Sequence, residues 1–307
     1  MDTEYTVIRY SNKYRKAVST LYFESYGRKK PLSYFDYRLN SFGSPIAFLM
    51  KFRNKLVGFY AVVPIKIKIK NNFFLGGSSF LTMTHPDHSG KGVFLKLALK
   101  TFQEAKKRKY KFILGFANPN SYPIFIKKLG FSELTPINNL IIKNFNNFKE
   151  ITYKKSKIPK NAAQLWNEYD AQKNFPIKLE RNYEYLHKKF VQHPVYDYFI
   201  FYEKNKFLFI FKKYEKILHI IDFFGIENNE FYLTLFGVAK NLAKTNKCDT
   251  INFWIPKKHN ILHTLKNNTK FLSTNSFFII KSLDPKFNPL ISEINNWYYT
   301  MTDADIF

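Results

Sequence analysis

Apolar and polar positions change period several times along this chain. From Val62 to Lys70 the residues read Val-Val-Pro-Ile-Lys-Ile-Lys-Ile-Lys. The apolar/lysine alternation at the end of that run has the period of a half-solvated strand. Residues 46–52 and 56–63 are apolar runs on either side of Arg53-Asn54 and are predicted to form a hairpin, the second run continuing into the alternating stretch. Residues 80–84 predict a further strand, which runs into the turn-rich segment Pro86-Asp87-His88-Ser89-Gly90-Lys91-Gly92. The period then becomes helical, with Phe94, Leu97, Ala98, Thr101, Phe102 and Ala105 on one face. Lys106, Lys107, Arg108 and Lys109 close that helix, where cations suit the negative end of the dipole. Residues 112–116 read as a buried strand, and 121–129 as a short helix stopped by Gly130.

Residues 146–160 are polar, rich in lysine and end in Ile158-Pro159-Lys160, so the sequence places a domain junction there. Beyond it the coarse order recurs. Residues 199–202 and 207–211 predict a hairpin, and 219–226 a strand. A helix with Tyr232, Leu235, Phe236, Ala239, Leu242 and Ala243 on one stripe follows, then a strand over 248–255 and a helix over 260–267. The expected organisation is two domains of mixed α/β class, residues 1–150 and 151–307, which suits a chain of 307 residues.

Composition narrows the class. With 34 Phe and 21 Tyr the chain is not of a disordered kind. A single cysteine, Cys248, excludes an internal disulfide framework and a cysteine-based zinc cluster, and no metal site is expected. The polar, acidic start Met1-Asp2-Thr3-Glu4-Tyr5 does not read as a secretory signal, and no run of about 18 apolar residues is present. A soluble cytoplasmic protein without a membrane span is expected. The net charge of +26 is a field that attracts nucleic acid, anionic surfaces or phosphorylated ligands. It is carried by 42 Lys and only 7 Arg, in a chain also rich in Asn, Ile, Phe and Tyr. That pattern reads as coding bias rather than as a nucleic-acid interface, where arginine supplies bidentate contacts. No specific nucleic-acid partner is expected.

The segment 86–92 carries the chemistry. A glycine-containing turn that leads a strand into a helix start exposes several backbone N–H groups, and these, with the helix dipole, hold phosphate. The turn is too short for a Walker loop and lacks its Gly-Lys-Ser/Thr ending, and the dinucleotide fingerprint needs a third glycine. Ser89-Gly90-Lys91-Gly92-Val93-Phe94 resembles motif A of the GCN5-related N-acetyltransferases, Arg/Gln-x-x-Gly-x-Gly/Ala, with Ser89 at the Arg/Gln position and Phe94 at the last glycine. The next block of that family is similar to Gly115-Phe116-Ala117-Asn118-Pro119-Asn120-Ser121 and Lys127-Lys128-Leu129-Gly130-Phe131. The resemblance spans residues 5–145.

The resemblance implies two tandem domains of this family, each a mostly antiparallel sheet flanked by helices, with acetyl-CoA or another acyl-CoA as co-substrate. It places the coenzyme against Met83, Thr84, Ser89, Gly90, Lys91, Gly92, Val93, Phe94, Asn118, Asn120 and Ser121, with Phe94 as a bulky wall. It implies direct acyl transfer to an amine, with a backbone N–H near Met83 or Thr84 polarising the thioester carbonyl. An ammonium nucleophile must lose a proton. Glu24, His85 and His88 are the candidates for that step. The family's tyrosine acid falls at Ile126, with Tyr122 nearby, so the general acid stays open.

The second half carries Glu227-Asn228-Asn229-Glu230 where the first has its glycines, so it is expected to bind no coenzyme and to shape the acceptor cleft. Residues 179–186 and His193-Pro194 are similar to a stretch of two-domain members. The tail Trp297-Tyr298-Tyr299-Thr300-Met301-Thr302-Asp303-Ala304-Asp305-Ile306-Phe307 is acidic in a basic chain. Asp303 and Asp305 are expected to line the acceptor site as catalytic carboxylates. The acceptor is expected to be a small-molecule amine, the amino group of an amino sugar in polysaccharide biosynthesis, with a nucleotide-sugar as one form. A Fem-type aminoacyl-tRNA-dependent transferase and a non-catalytic nucleic-acid-binding module are the alternatives. The oligomeric state is open.

Overall fold

A computed structural model describes residues 4–134, 137–173, 175–265, 270–272 and 276–304. The chain divides into two compact units: residues 1–67, 73–135 and 276–292 make unit 1, and residues 68–72, 136–275 and 293–307 make unit 2. Unit 1 begins with β1 (Tyr5–Arg9), α1 (Arg15–Tyr26), α2 (Leu32–Asn40), β2 (Ile46–Phe52) and β3 (Lys55–Ile69). It continues with β4 (Asn72–Thr84), α3 (Val93–Lys107), β5 (Phe112–Ala117), α4 (Tyr122–Lys127) and β6 (Ser132–Glu133). Unit 2 contains β7 (Asn139–Ile142), α5 (Ala162–Ala171), β8 (Ile177–Leu179), α6 (Tyr183–Phe190), β9 (Phe199–Glu203) and β10 (Phe207–Tyr214). Its remaining elements are β11 (Ile217–Gly225), α7 (Asn229–Thr245), β12 (Thr250–Trp254), α8 (Ile261–Thr264) and β13 (Lys270–Leu272). The chain then returns to unit 1 as β14 (Phe277–Ser282). No helix among the described residues is long and apolar enough to cross a membrane.

The predicted hairpin forms, with Ile46↔Val62 to Phe52↔Lys55 in antiparallel register. Pro64 lies in β3 past the end of that ladder, where its missing N–H breaks no bond to β2. β4 is longer than its sequence signal. Within it Gly76, Gly77, Ser78 and Ser79 lack strand propensity but are held extended by pairing with neighbours. In unit 1 the strand order is β1-β2-β3-β4-β5-β14-β6. Helices cover both faces. Val18, Leu21, Phe35 and Leu39 of α1 and α2 pack with Leu49, Phe59, Phe80 and Met83. Leu97, Ala98 and Phe102 of α3 and Phe125 of α4 pack with Met50, Val57, Tyr60 and Ile113 in a second cluster. Each large apolar side chain among them, such as Leu97 or Phe102, contributes about 1.5–3 kcal/mol when removed from water, so the stripe read from the sequence is what seats α3.

Unit 2 has the order β13-β7-β12-β11-β10-β9. Each sheet includes a parallel pair, β4 with β5 and β11 with β12, beside antiparallel ladders. The place beside β5 is filled by β14, from late in the chain, and the place beside β12 by β7, from before the polar segment 146–160. Apart from residues 68–72, which belong to unit 2, the units change near residue 135 and again near 275 and 292, not at the 150/151 position the composition indicated. Residues 146–160 do form an irregular connection, but it runs within unit 2. Of the helix expected over 260–267, Ile261–Thr264 is formed and residues 266 and 267 lie outside the described residues.

Candidate active site

In unit 1 the parallel ladder between β4 and β5 consists of Gly77↔Ile113 and Ser78↔Leu114. Both strands continue past it, β4 to Thr84 and β5 to Ala117, without further pairing to each other. A strand edge left this way presents backbone donors and acceptors to a ligand. Leu81 lies inside this stretch of β4 with φ 47°, in the left-handed region that a leucine adopts only when its surroundings enforce it. The distortion turns carbonyls out toward α1: the Tyr26 hydroxyl donates to the Thr82 oxygen at 2.6 Å, and the Ser25 hydroxyl to the Thr84 oxygen at 3.3 Å. The His85 amide donates to Val57 of β3 at 2.9 Å. Successive amides of a strand point to opposite sides, so the Thr84 amide faces the gap.

The loop after β4 delivers the chain to α3. Gly90 and Gly92 have φ of 76° and 74°, and a Cβ on either would meet no atom within 4 Å. The requirement there is conformational: the αL turns aim the loop, and no side chain would be crowded. Gly92 is the N-cap of α3, and the first intrahelical bond is the Lys96 amide to the Gly92 oxygen at 3.0 Å. The amides of Val93, Phe94 and Leu95 precede that bond and have no helical partner. The first turn carries no acidic residue, and Lys91 and Lys96 are exposed beside it. Three oriented donors, a positive dipole end and two ammonium groups fit a pyrophosphate. Phe94 is placed differently from the expected coenzyme wall: it is 7% exposed and packs edge-on to Tyr60 and Phe125 in the core.

Two of the sequence-derived candidates for proton transfer come together at this loop. His85 is buried, with Nε2 3.8 Å from Glu24 Oε2. Its Nδ1 accepts the Asp87 amide at 3.2 Å, which fixes the ring as the cap of the 3-10 turn Pro86–His88. Lys55, at the start of β3, joins them, 2.9 Å from His85 Nε2 and 3.5 Å from Glu24 Oε1. The third candidate, His88, is committed to the Tyr5 hydroxyl at 2.7 Å, and burial together with the Lys91 ammonium holds it below the usual imidazole range. Asn118 builds the loop after β5: its Oδ1 accepts the amides of Asn120 and Ser121 at 3.0 and 2.9 Å. Asn118 and Asn120 are exposed and Ser121 is half-buried. Ile126 is half-buried against the α3–α4 core, and the Tyr122 hydroxyl is bonded to Glu133.

In unit 2 the ladder of β11 with β12 also stops early, at His219↔Asn252, while β11 runs on to Gly225. The loop that follows is closed by Asn228 of its own and by side chains from elsewhere in unit 2. Gln172 Oε1 accepts the Glu227 amide at 3.1 Å, and Asn228 Oδ1 accepts the Phe231 amide at 2.9 Å. Glu227 is buried against Lys173, and Glu230 pairs with Lys206 at 2.7 Å. The tail residues Trp297 to Ala304 are buried in the same unit. Asp303 accepts from Arg181 Nη2 and from the Thr300 amide, both at 2.8 Å. Arg181 also donates to Asp222 at 3.1 Å and to the Leu179 carbonyl at 3.0 Å. Asp305 and Phe307 lie outside the described residues.

Sequence reasoning missed Leu81, Lys55 and the Ser25 and Tyr26 hydroxyls. A leucine at positive φ leaves no compositional trace, and a hairpin lysine looks like any other in a chain with 42 of them.

Residues 7–134 match the acetyltransferase (GNAT) domain family. No curated protein matches the chain in sequence. Among solved structures it is similar to a conserved protein of unknown function from Enterococcus faecalis, described as a probable N-acyltransferase, at 12% identity and a TM-score of 0.68, over 92% of this chain and 73% of that one. It is similar to a GCN5-related N-acetyltransferase from Kribbella flavida at 9% identity and a TM-score of 0.72, over 92% and 71% of the two chains. It also resembles the N-myristoyltransferase of Saccharomyces cerevisiae, solved with myristoyl-CoA, at 13% identity and a TM-score of 0.61, over 91% and 82%. At these identities the likeness is one of fold, and it extends through both units.

Proposed function

We propose, on the premise of the match of residues 7–134 to the acetyltransferase (GNAT) domain family, that this chain is an acyl-CoA-dependent N-acyltransferase that modifies the amino group of an amino sugar, nucleotide-linked sugars included. The observation that carries the reading is the β4/β5 divergence past Ser78 and Leu114, with the amides of residues 90–95 beyond it. A pantetheine arm extended along the free edge of β4 has its pyrophosphate at the α3 N-terminus and its thioester near Thr84. The Thr84 amide then stands where negative charge develops on the carbonyl oxygen.

The acceptor amine attacks the thioester carbon, the C–N bond forms as the C–S bond breaks, and coenzyme A leaves as the thiolate. The proton released from the amine passes to the Glu24/His85 pair, and the thiolate is protonated from water. Asp303 has a positioning role in this scheme, because both its partners bind it inside unit 2. The closed loop at residues 225–230 supports a single coenzyme site per chain. The lysine-rich surface supports a phosphorylated acceptor such as a nucleotide-sugar.

The test combines thermal shift with coenzyme A, acetyl-CoA and nucleotide-linked amino sugars, and thiol release with each amine in turn. Coenzyme binding together with turnover on an amino sugar supports the reading. Coenzyme binding with turnover only on peptide or polyamine acceptors removes the sugar and leaves the acyltransferase.

A further inference from the structure

We propose that Lys55 is a self-acylation site, its amine taking the acyl group when no acceptor is present. The inference rests on the coenzyme reading of unit 1. Lys55 Nζ lies 2.9 Å from His85 Nε2 and 3.5 Å from Glu24 Oε1, between the two groups assigned to receive an acceptor's proton. An exposed lysine ordinarily pairs with carboxylates alone, and an imidazole nitrogen at hydrogen-bond distance is a different environment. Because His85 Nδ1 accepts the Asp87 amide, the neutral ring carries its hydrogen on Nε2 and aims it at Lys55. A lysine nitrogen that reacts from this contact does so as the free amine, with the Glu24 carboxylate 3.5 Å away to take its proton.

Position favours the same reaction. His85 directly follows Thr84, the residue whose amide faces the thioester gap, so the ring that Lys55 contacts is carried by the end of the strand that the coenzyme arm would follow. The Lys55 side chain is 54% exposed, and its four-carbon stem is free to swing. In the step itself the Nζ lone pair bonds to the thioester carbon, the C–S bond breaks and coenzyme A leaves as thiolate. The Nζ proton passes to Glu24, 3.5 Å away, because the His85 nitrogen facing Lys55 already carries a hydrogen, and water protonates the thiolate. The resulting amide is uncharged and no longer bridges Glu24 and His85.

The experiment incubates the full-length protein with acetyl-CoA and no acceptor, and follows thiol release and site occupancy by peptide mass spectrometry. Lys55 should acquire an acetyl group at a rate independent of protein concentration. That rate should exceed the rates at the exposed lysines Lys13 and Lys204 by on the order of 10²-fold, as an adjacent proton acceptor confers. The combined substitution Glu24→Gln with His85→Asn should bring Lys55 down to the rate of the other lysines, and Lys55→Arg should abolish the fast phase while retaining coenzyme binding. Equal rates at Lys55, Lys13 and Lys204, or a fast phase that survives in the Glu24→Gln/His85→Asn chain, would overturn the proposal. Calorimetry of coenzyme A with the same preparation separates the two readings. Coenzyme binding and transfer to an added amine, with Lys55 unmodified, defeats this inference alone, whereas absence of coenzyme binding defeats both.

Discussion

Gly92 allows the charge recognition at the loop to be separated from its backbone geometry. Its φ is 74° and a Cβ there would touch nothing within 4 Å, so a substitution meets only the left-handed penalty. Asparagine and aspartate tolerate that region better than other residues, and each should cost no more than about 1 kcal/mol of folding stability. The two differ by one charge at the α3 N-cap. A carboxylate about 5 Å from a phosphate, in an effective dielectric of about 20, is repelled by about 3 kcal/mol. At about 1.4 kcal/mol per decade that is on the order of 10² in affinity. Gly92→Asn should therefore keep coenzyme A binding near the parent value, while Gly92→Asp should weaken it by on the order of 10²-fold, and the gap should narrow with added salt. Isothermal calorimetry gives the affinities and urea unfolding the stabilities. If the two variants bind coenzyme A within about threefold of each other while both are folded, the pyrophosphate does not sit at this N-terminus.

Three further outcomes are expected. Calorimetry should give one coenzyme per chain, because the amides of Ile226, Glu227 and Phe231 are already taken by Lys206, Gln172 and Asn228; two equivalents would show that unit 2 also binds. Replacing Arg181 by Met leaves Asp222 and Asp303 buried without a cation and should cost about 3–5 kcal/mol in urea unfolding; a loss under about 1 kcal/mol would mean the cluster is not what fastens the tail. Burial lowers His219 from the usual imidazole value to about 4, so its contribution is present above about pH 6.5 and disappears as pH falls toward 4. That loss amounts to about 3 kcal/mol, and His219→Gln should flatten this part of the stability curve, an unchanged slope refuting the assignment.

Much of unit 1 was legible because its signals are local. The Arg53-Asn54 turn, the lysine alternation of β3 and the apolar stripe of α3 each depend on residues close in sequence. Gly90 and Gly92 were readable for the same reason, since a positive φ selects glycine. The pairing of Glu24 with His85 could only be listed as two separate candidates, because their approach depends on α1 lying over the end of β4. Gly76 to Ser79 carried no strand signal, and their extended conformation comes from neighbours on either side.

Local sequence signals carried the class of fold, the recurrence of its element order, the glycine turn that leads into α3 and the family that turn resembles. Tertiary structure alone decided that β14 completes the sheet of unit 1 and β7 that of unit 2, because ladder hydrogen bonds are indifferent to sequence separation. It alone bent β4 at Leu81, where packing overrides the preference of a leucine for negative φ. It also committed Asp303 to Arg181: a buried guanidinium requires carboxylates from wherever the fold supplies them, here 41 and 122 residues away.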